Sequence, residues 1–235
     1  MKYLLCDNWG GRPHDAKKTV SNTEDDLMCW SAAASNVLAW TKWGLPQGQT
    51  FTDEASIFKH FQDYWIDSAG YPNYAWEWWF TGNDEKYDNV DVTGGGGFWS
   101  SSVYSFENYY HVEYDRTKAL TAIDDFLNMG YGVVLELIGQ NGGHMITCWG
   151  YEQNDGGKYL GIYTTDSDDS LQDLRYYEVN QDTSGSEEWA MYKDWWYFTY
   201  YKNSTRYLLG TVHALDRCPE ADLAPSAPSN LTVRS

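Results

Sequence analysis

Cys29 stands where an acidic lead-in, Asp25-Asp26-Leu27-Met28, gives way to a run of small residues, Ser31-Ala32-Ala33-Ala34-Ser35. Cys29, Ala32, Ala33, Asn36, Val37 and Trp40 recur at helical spacing, which predicts a helix over 29–43 with the thiol at its N-terminus. The unpaired N–H groups of a first helical turn and the positive end of the macrodipole both favour thiolate over thiol. Downstream, Gly142-Gly143-His144 offers an imidazole and Asp166-Ser167-Asp168-Asp169 a set of carboxylates. Nucleophile, base and orienting carboxylate thus follow in the order Cys, His, Asp, the parts of a thiol-dependent acyl-transfer site.

Each part has a plainer reading. A histidine at the start of a strand is often only a hydrogen-bonded structural residue. Here two glycines precede His144 and the apolar run Met145-Ile146-Thr147-Cys148-Trp149-Gly150 follows it, which puts the ring at the edge of a cleft. Asp166 follows the run Leu160–Thr165. If that run pairs with the His144 strand, the Asp166 carboxylate reaches the far ring nitrogen and fixes the tautomer. Asp168 is placed to assist, or to bind nearby backbone. The alternatives for this acidic turn are a solvated loop or a calcium loop, but Asp-x-Asp-Asp completes no EF-hand pattern. Acyl transfer also needs donors aimed at the developing oxyanion. The Cys29 N–H supplies one, and Lys18 from the preceding loop is a candidate for a second, although an exposed lysine is the simpler reading.

The elements that must position these groups change period along the chain. Residues 1–28 read as irregular. After the helix at 29–43, ended by Gly44 and Pro46, Thr52 reads as the cap of a second helix with Ile57, Phe58, Phe61 and Trp65 as its apolar stripe. Trp76, Trp79 and Phe80 suggest a short aromatic helix, Gly94–Gly97 a flexible loop, and Thr117–Met129 a helix closed by Gly130. From Val133 onward the pattern is strands: Val133–Ile138, Met145–Tyr151, Tyr159–Thr165, Leu171–Val179, Trp195–Tyr201 and Tyr207–Leu215. Asn154-Asp155-Gly156-Gly157 forms a hairpin turn between the second and third. Helices first and antiparallel strands second predict an α+β class, with a helical lobe carrying the thiol facing a sheet lobe carrying imidazole and carboxylate.

The chain has 235 residues and a net charge of −18, from 16 basic and 34 acidic residues. A polyanion of this strength repels nucleic acid and anionic lipid, so neither is expected as a partner. No apolar run reaches the roughly 20 residues needed to span a bilayer. The opening Met1–Asp7 is too short and polar for a signal peptide, while Pro219–Pro228 reads as a Pro/Ala/Ser linker. Ser229-Asn230-Leu231-Thr232-Val233 looks like the first strand of a fibronectin type III module. The expectation is one catalytic domain over 1–218 and a linker with the start of a further module over 219–235, within a secreted or cell-surface protein. The four cysteines, Cys6, Cys29, Cys148 and Cys218, fit no zinc spacing. Cys6 and Cys218 can pair if the termini meet, and Cys148 reads as a core thiol.

Four segments together carry a resemblance: Lys18-Thr19, Asp25-Asp26-Leu27-Met28-Cys29, His144 to Gly150, and Tyr163-Thr164-Thr165-Asp166-Ser167-Asp168. In combination they resemble the immunoglobulin-degrading cysteine endopeptidases of streptococci, over roughly residues 16–40 and 143–170. The resemblance implies a papain-like two-lobed fold, no cofactor, and a protein substrate such as immunoglobulin heavy chain. It also implies Cys29 as nucleophile, His144 as base, Asp166 as orienting carboxylate, Asp168 as a second active-site acid and Lys18 as oxyanion donor. Lys17 stays open as the alternative donor.

Two rival readings use other features. Thirteen Trp and 20 Tyr are a heavy aromatic load, and Trp76, Trp78, Trp79 and Trp99 could form a platform for sugars, unless they fill the core. An amidase or acyl transferase would use the same Cys-His-Asp parts without cutting protein.

Overall fold

The computed structural model describes residues 2–6, 12–19, 24–99, 101–140, 142–171, 173–181, 192–202, 204–220 and 231–234. Ten strands join in one antiparallel sheet: β1 (Lys2–Cys6), β2 (Tyr110–Glu113), β3 (Gly132–Gly139), β4 (Gly142–Gln153), β5 (Tyr159–Thr165), β6 (Arg175–Glu178), β7 (Asn180–Gln181), β8 (Trp196–Thr199), β9 (Arg206–Leu215) and β10 (Leu231–Arg234). Among the described residues the α-helices are α1 (Cys29–Thr41), α2 (Glu54–Tyr64), α3 (Pro72–Thr81) and α4 (Ala119–Asn128).

β4 organises the sheet. One of its edges pairs with β3 through Val133↔Cys148 to Gly139↔Gly142 and, further along, with β1. Its other edge pairs with β5, and β5 pairs with β6. β3 pairs in turn with β9, and β9 with β8. The two ends of this run approach each other: Tyr177 of β6 stacks on Phe198 of β8 with ring centroids 4.2 Å apart. The sheet therefore curls into a nearly closed barrel. Curling lets both ends of a strongly twisted sheet bury apolar faces that a flat sheet would expose.

α1 is buried along its whole length except at Cys29. It packs on β3 and β4 on one side and on α2 and α3 on the other. Two side-chain bonds fix its placement. Asn36 Nδ2 donates to Thr147 Oγ1 of β4 at 3.0 Å, and Ala16 N–H donates to Asn36 Oδ1 at 2.7 Å. One buried asparagine thus ties the loop before α1, the helix and the central strand together.

The arrangement corrects the expected papain-like two-lobed α+β fold. The helices form no lobe of their own across a cleft from a sheet lobe; α1 lies directly against a mostly antiparallel, nearly closed sheet. The helical pattern at 29–43 does not reveal this, because a helix buried on all sides looks the same whichever element covers it. Local differences have local causes. The 1–28 segment contains strand β1, whose five residues pair with β4 and β10. α2 is capped by Asp53, not Thr52: the Asp53 carboxylate accepts from Ser56 N–H at 2.9 Å in a reciprocal capping box. Within Gly94–Gly97, Gly95 and Gly96 are packed rather than loose. A Cβ on Gly96 would lie 2.3 Å from the Trp78 carbonyl oxygen, and His60 Nε2 bonds the Gly95 carbonyl at 2.7 Å. β6 begins only at Arg175, because Asp169 holds the turn before it by accepting from Leu171 N–H at 2.9 Å.

Candidate active site

Cys29 opens α1, so its own N–H has no intrahelical acceptor. Of the two acidic residues before it, Asp25 has a structural role. Asp25, 1 % exposed, accepts from Thr19 N–H and from Gln62 Nε2, each at 2.8 Å, and its carbonyl accepts from Met28 N–H. Asp67 accepts from Leu27 N–H at 2.7 Å. Trp30 is fully buried, and its indole N–H donates to the Ser68 carbonyl at 2.8 Å. That bond fixes the 68–71 stretch as one wall of the cleft beside Cys29.

The Asn154–Gly157 turn brings β5 back along β4, with Thr147 opposite Thr165. Asp166, the residue after β5, then meets His144 near the start of β4, and His144 Nε2 donates to Asp166 Oδ1 at 2.7 Å. Nε2 being taken, Nδ1 is left as the nitrogen toward Cys29. Tyr200 O–H donates to Asp166 Oδ2 at 2.5 Å, and Asp168 N–H donates to Asp166 Oδ1 at 2.9 Å.

Electrostatics follow from these bonds. Burial pushes the Cys29 thiol up, but its bond to His144, that ring's charge, the Met145 N–H and the Lys18 ammonium together bring it below the ordinary thiol range. Burial would lower His144, yet the bond to Asp166 and the charges of Asp166 and Cys29 raise it to about 10. Asp166 is pushed up by burial and pulled down further by His144 and Tyr200, ending at about 2. The shifts therefore all act in one direction, toward thiolate, imidazolium and carboxylate.

The structure separates the two lysines. Lys18 Nζ pairs with Asp168 Oδ1 at 2.7 Å and donates to the Asp26 carbonyl at 2.6 Å, and its side chain lines the same cleft as Cys29. Burial alone would lower the Lys18 ammonium, but Asp168 raises it, so the charge is held. Lys17 turns away and donates to the Asp166 carbonyl at 2.9 Å and to Asp169 Oδ1 at 2.7 Å. Asp168 thus holds the lysine rather than the imidazole. Residues 20–23, between Lys18 and Cys29, lie outside the described residues.

The cleft has a volume of about 560 Å³. Leu27, Gly70, Tyr71 and Tyr74 line one wall and Glu136, Met145, Tyr200 and Tyr207 the sheet wall. Sequence reasoning missed Tyr200 and Glu136. Tyr200 is one of 20 tyrosines, with nothing local to set it apart. Glu136 does carry a signal, being the single charge inside the apolar run Val133–Ile138.

Two alternatives meet their tests here. His144, Asp166 and Asp168 bring ligand-type atoms within 4.8 Å of one another, as a metal would need. However, His144 is bonded to Asp166 and Asp168 to Lys18, so an ammonium already serves where a cation would sit. The proposed sugar platform is core: Trp76, Trp78 and Trp79 are fully buried, and the Trp99 indole N–H donates to the Trp43 carbonyl at 3.0 Å. Cys6 and Cys218 belong to different core clusters, and Cys148 is buried, with its thiol pushed up to about 12 by desolvation.

No curated protein matches the chain. The family model for Mac-1, described as Mac 1, matches residues 122–215, less than half of the chain. The matched stretch holds His144, Asp166, Asp168 and Glu136; Cys29 and Lys18 lie before it. Mac-1 is a domain of the IgG-degrading Mac protein family and is linked to immunoglobulin interaction. The family likeness found is therefore to Mac-1, and it replaces the streptococcal cysteine endopeptidase family to which the motifs had pointed.

Proposed function

We propose that this protein is a secreted or cell-surface cysteine endopeptidase that cuts a protein substrate, with immunoglobulin heavy chain as the first candidate. The observation that carries the reading is the bonded series His144–Asp166–Tyr200 facing the same cleft as Cys29, which stands at the N-terminus of a buried helix. The Mac-1 likeness supports an immunoglobulin substrate.

In this reading the Cys29 thiolate attacks the scissile carbonyl carbon. The Cys29 N–H and the Lys18 ammonium take the oxyanion charge as it develops; losing one such donor typically costs about 3 kcal/mol of barrier. The His144 imidazolium gives its proton to the leaving amine, and the C–N bond breaks to leave a thioester on Cys29. His144, now neutral, takes a proton from water. The hydroxide adds to the thioester, the C–S bond breaks, and acid and thiolate are regenerated. Asp166 holds the ring throughout. No step requires a cofactor.

The test is alkylation of Cys29 by iodoacetamide from pH 4 to 10, resolved by mass spectrometry, together with digestion of purified immunoglobulins. Fast labelling well below the ordinary thiol range is expected, because the folded site lowers the thiol. Heavy-chain fragments should appear with the wild type and disappear with Cys29→Ala at unchanged melting temperature. Labelling that rises only around pH 8–9 would overturn the mechanism. An amine-modified product in place of a hydrolysed one would make the protein an acyl transferase.

A further inference from the structure

Glu136 is the one strong charge on the sheet wall of the cleft whose position the proposed chemistry does not use. It lies on β3 opposite Met145 of β4, one register step from the Leu137↔His144 pair. Val134 and Met145, on this face of the sheet, pack in the same cluster as α1. The pairing of β3 with β9 shifts register between Leu135 and Leu137, so the single residue Glu136 faces two residues of β9, Gly210 and Thr211, at a bulge in β9. Bulges re-aim side chains next to functional sites.

The neighbouring strand is shaped to hold the result. Thr211 donates to Glu136 Oε2 twice, from N–H at 2.9 Å and from Oγ1 at 2.8 Å. Position 210 is glycine, and a Cβ there would stand 2.6 Å from that oxygen. Both donors converge on Oε2, and among the described residues Oε1 takes no hydrogen bond and Glu136 no ion pair. His213, the nearby ring on β9, is no counter-charge: burial holds it near 4, below its ordinary value, and its Nδ1 is bonded to Tyr110 O–H at 2.9 Å. The result is an oriented carboxylate with one oxygen available in a cleft that also holds Asp168, paired to Lys18, and Asp26, exposed at its rim.

We propose that Glu136 is a specificity-determining residue, and that the substrate peptide places a lysine or arginine side chain on its Oε1. Tyr207, on the same wall, gives the aliphatic stem of such a side chain a ring to lie against. The inference rests on the peptidase reading and adds the substrate class to it.

The experiment digests a peptide library of mixed sequence with wild type and Glu136→Gln, and reads residue frequencies on both sides of every cut by mass spectrometry. Glutamine keeps an acceptor for Thr211 and removes the charge. Iodoacetamide labelling of Cys29 is followed in parallel. Wild type should favour Lys and Arg over norleucine or glutamine by about tenfold at one position relative to the cut, the worth of one charge-assisted hydrogen bond. Glu136→Gln should lose that preference while cutting neutral sequences and labelling at Cys29 as wild type does. Cuts with no basic preference, or a preference that survives Glu136→Gln, overturn the inference and leave the peptidase reading standing. A loss of cutting by Glu136→Gln that is equal for basic and neutral sequences also overturns it, since the carboxylate would then serve the substrate main chain. No cut in any peptide overturns the inference as well. Fast Cys29 labelling would then preserve the activated thiolate, and slow labelling would remove both readings.

Discussion

Tyr200 shows how much of the candidate site depends on a residue outside the triad. Its hydroxyl and the Asp168 N–H both donate to the buried Asp166 carboxylate, which lets that group stay ionised without water. In exchange, the carboxylate pushes the Tyr200 phenol far above its ordinary range, after burial has already done so. A bond to a buried charge is worth about 1.5–3 kcal/mol. Tyr200→Phe keeps the ring, removes the donor and leaves Asp166 with one fewer means of holding its charge. The expected outcome is a fall of about tenfold in kcat/KM on a cleaved substrate with the fold intact. Because Asp166 then binds its proton more readily, the acid limb of the pH–rate profile should move to higher pH. An unchanged acid limb would make Tyr200 a packing residue. At this scale much was legible: the order Cys, His, Asp and the glycines before His144 indicate which atoms meet. What pairs with Lys18 was not, because Asp168 lies 150 residues away along the chain and only the folded 166–169 turn presents it.

At the scale of elements, the site depends on the registration of α1 against β4. Helix α1 is identifiable from its small and apolar periodicity, and the β4–β5 hairpin from Asn154-Asp155-Gly156-Gly157, because both signals are local. The barrel is not legible in the same way. The approach of β6 to β8 joins segments more than ten residues apart along the chain, and short aromatic strands give little sign of which edge they will meet. Asn36 fixes the helix-to-strand register, with Thr147 on one side and the Ala16 backbone on the other. Asn36→Ala leaves a buried Ala16 N–H and the Thr147 hydroxyl without that partner, at about 1–3 kcal/mol for each unsatisfied group. The melting temperature should fall by several degrees. At temperatures where the variant is still folded, Cys29 should label more slowly, since α1 is then free to shift against His144. Normal labelling in a destabilised variant would limit Asn36 to a role in stability.

At the scale of the whole molecule, the charge of −18 sets a repulsion that the fold must carry. Part of it is offset close to the site: Lys17 and Arg175 both pair with Asp169, and Lys18 with Asp168. The 34 acidic residues still outnumber the 16 basic ones more than two to one. Self-repulsion in the compact state is screened by salt, whereas partly buried pairs such as Lys17–Asp169 are screened much less. Raising NaCl from about 10 mM to about 0.5 M at pH 8 shortens the Debye length from about 30 Å to well under 10 Å. It should therefore raise the melting temperature, because the repulsion is relieved more than the pairs are weakened. The same titration near the sequence pI of about 4.4 should have little effect, since the net charge there is close to zero. A melting temperature that falls with salt at pH 8 would show that the partly buried ion pairs, not the repulsion, dominate the electrostatic stability of the fold, and that the 166–169 turn holding His144 is its salt-sensitive part.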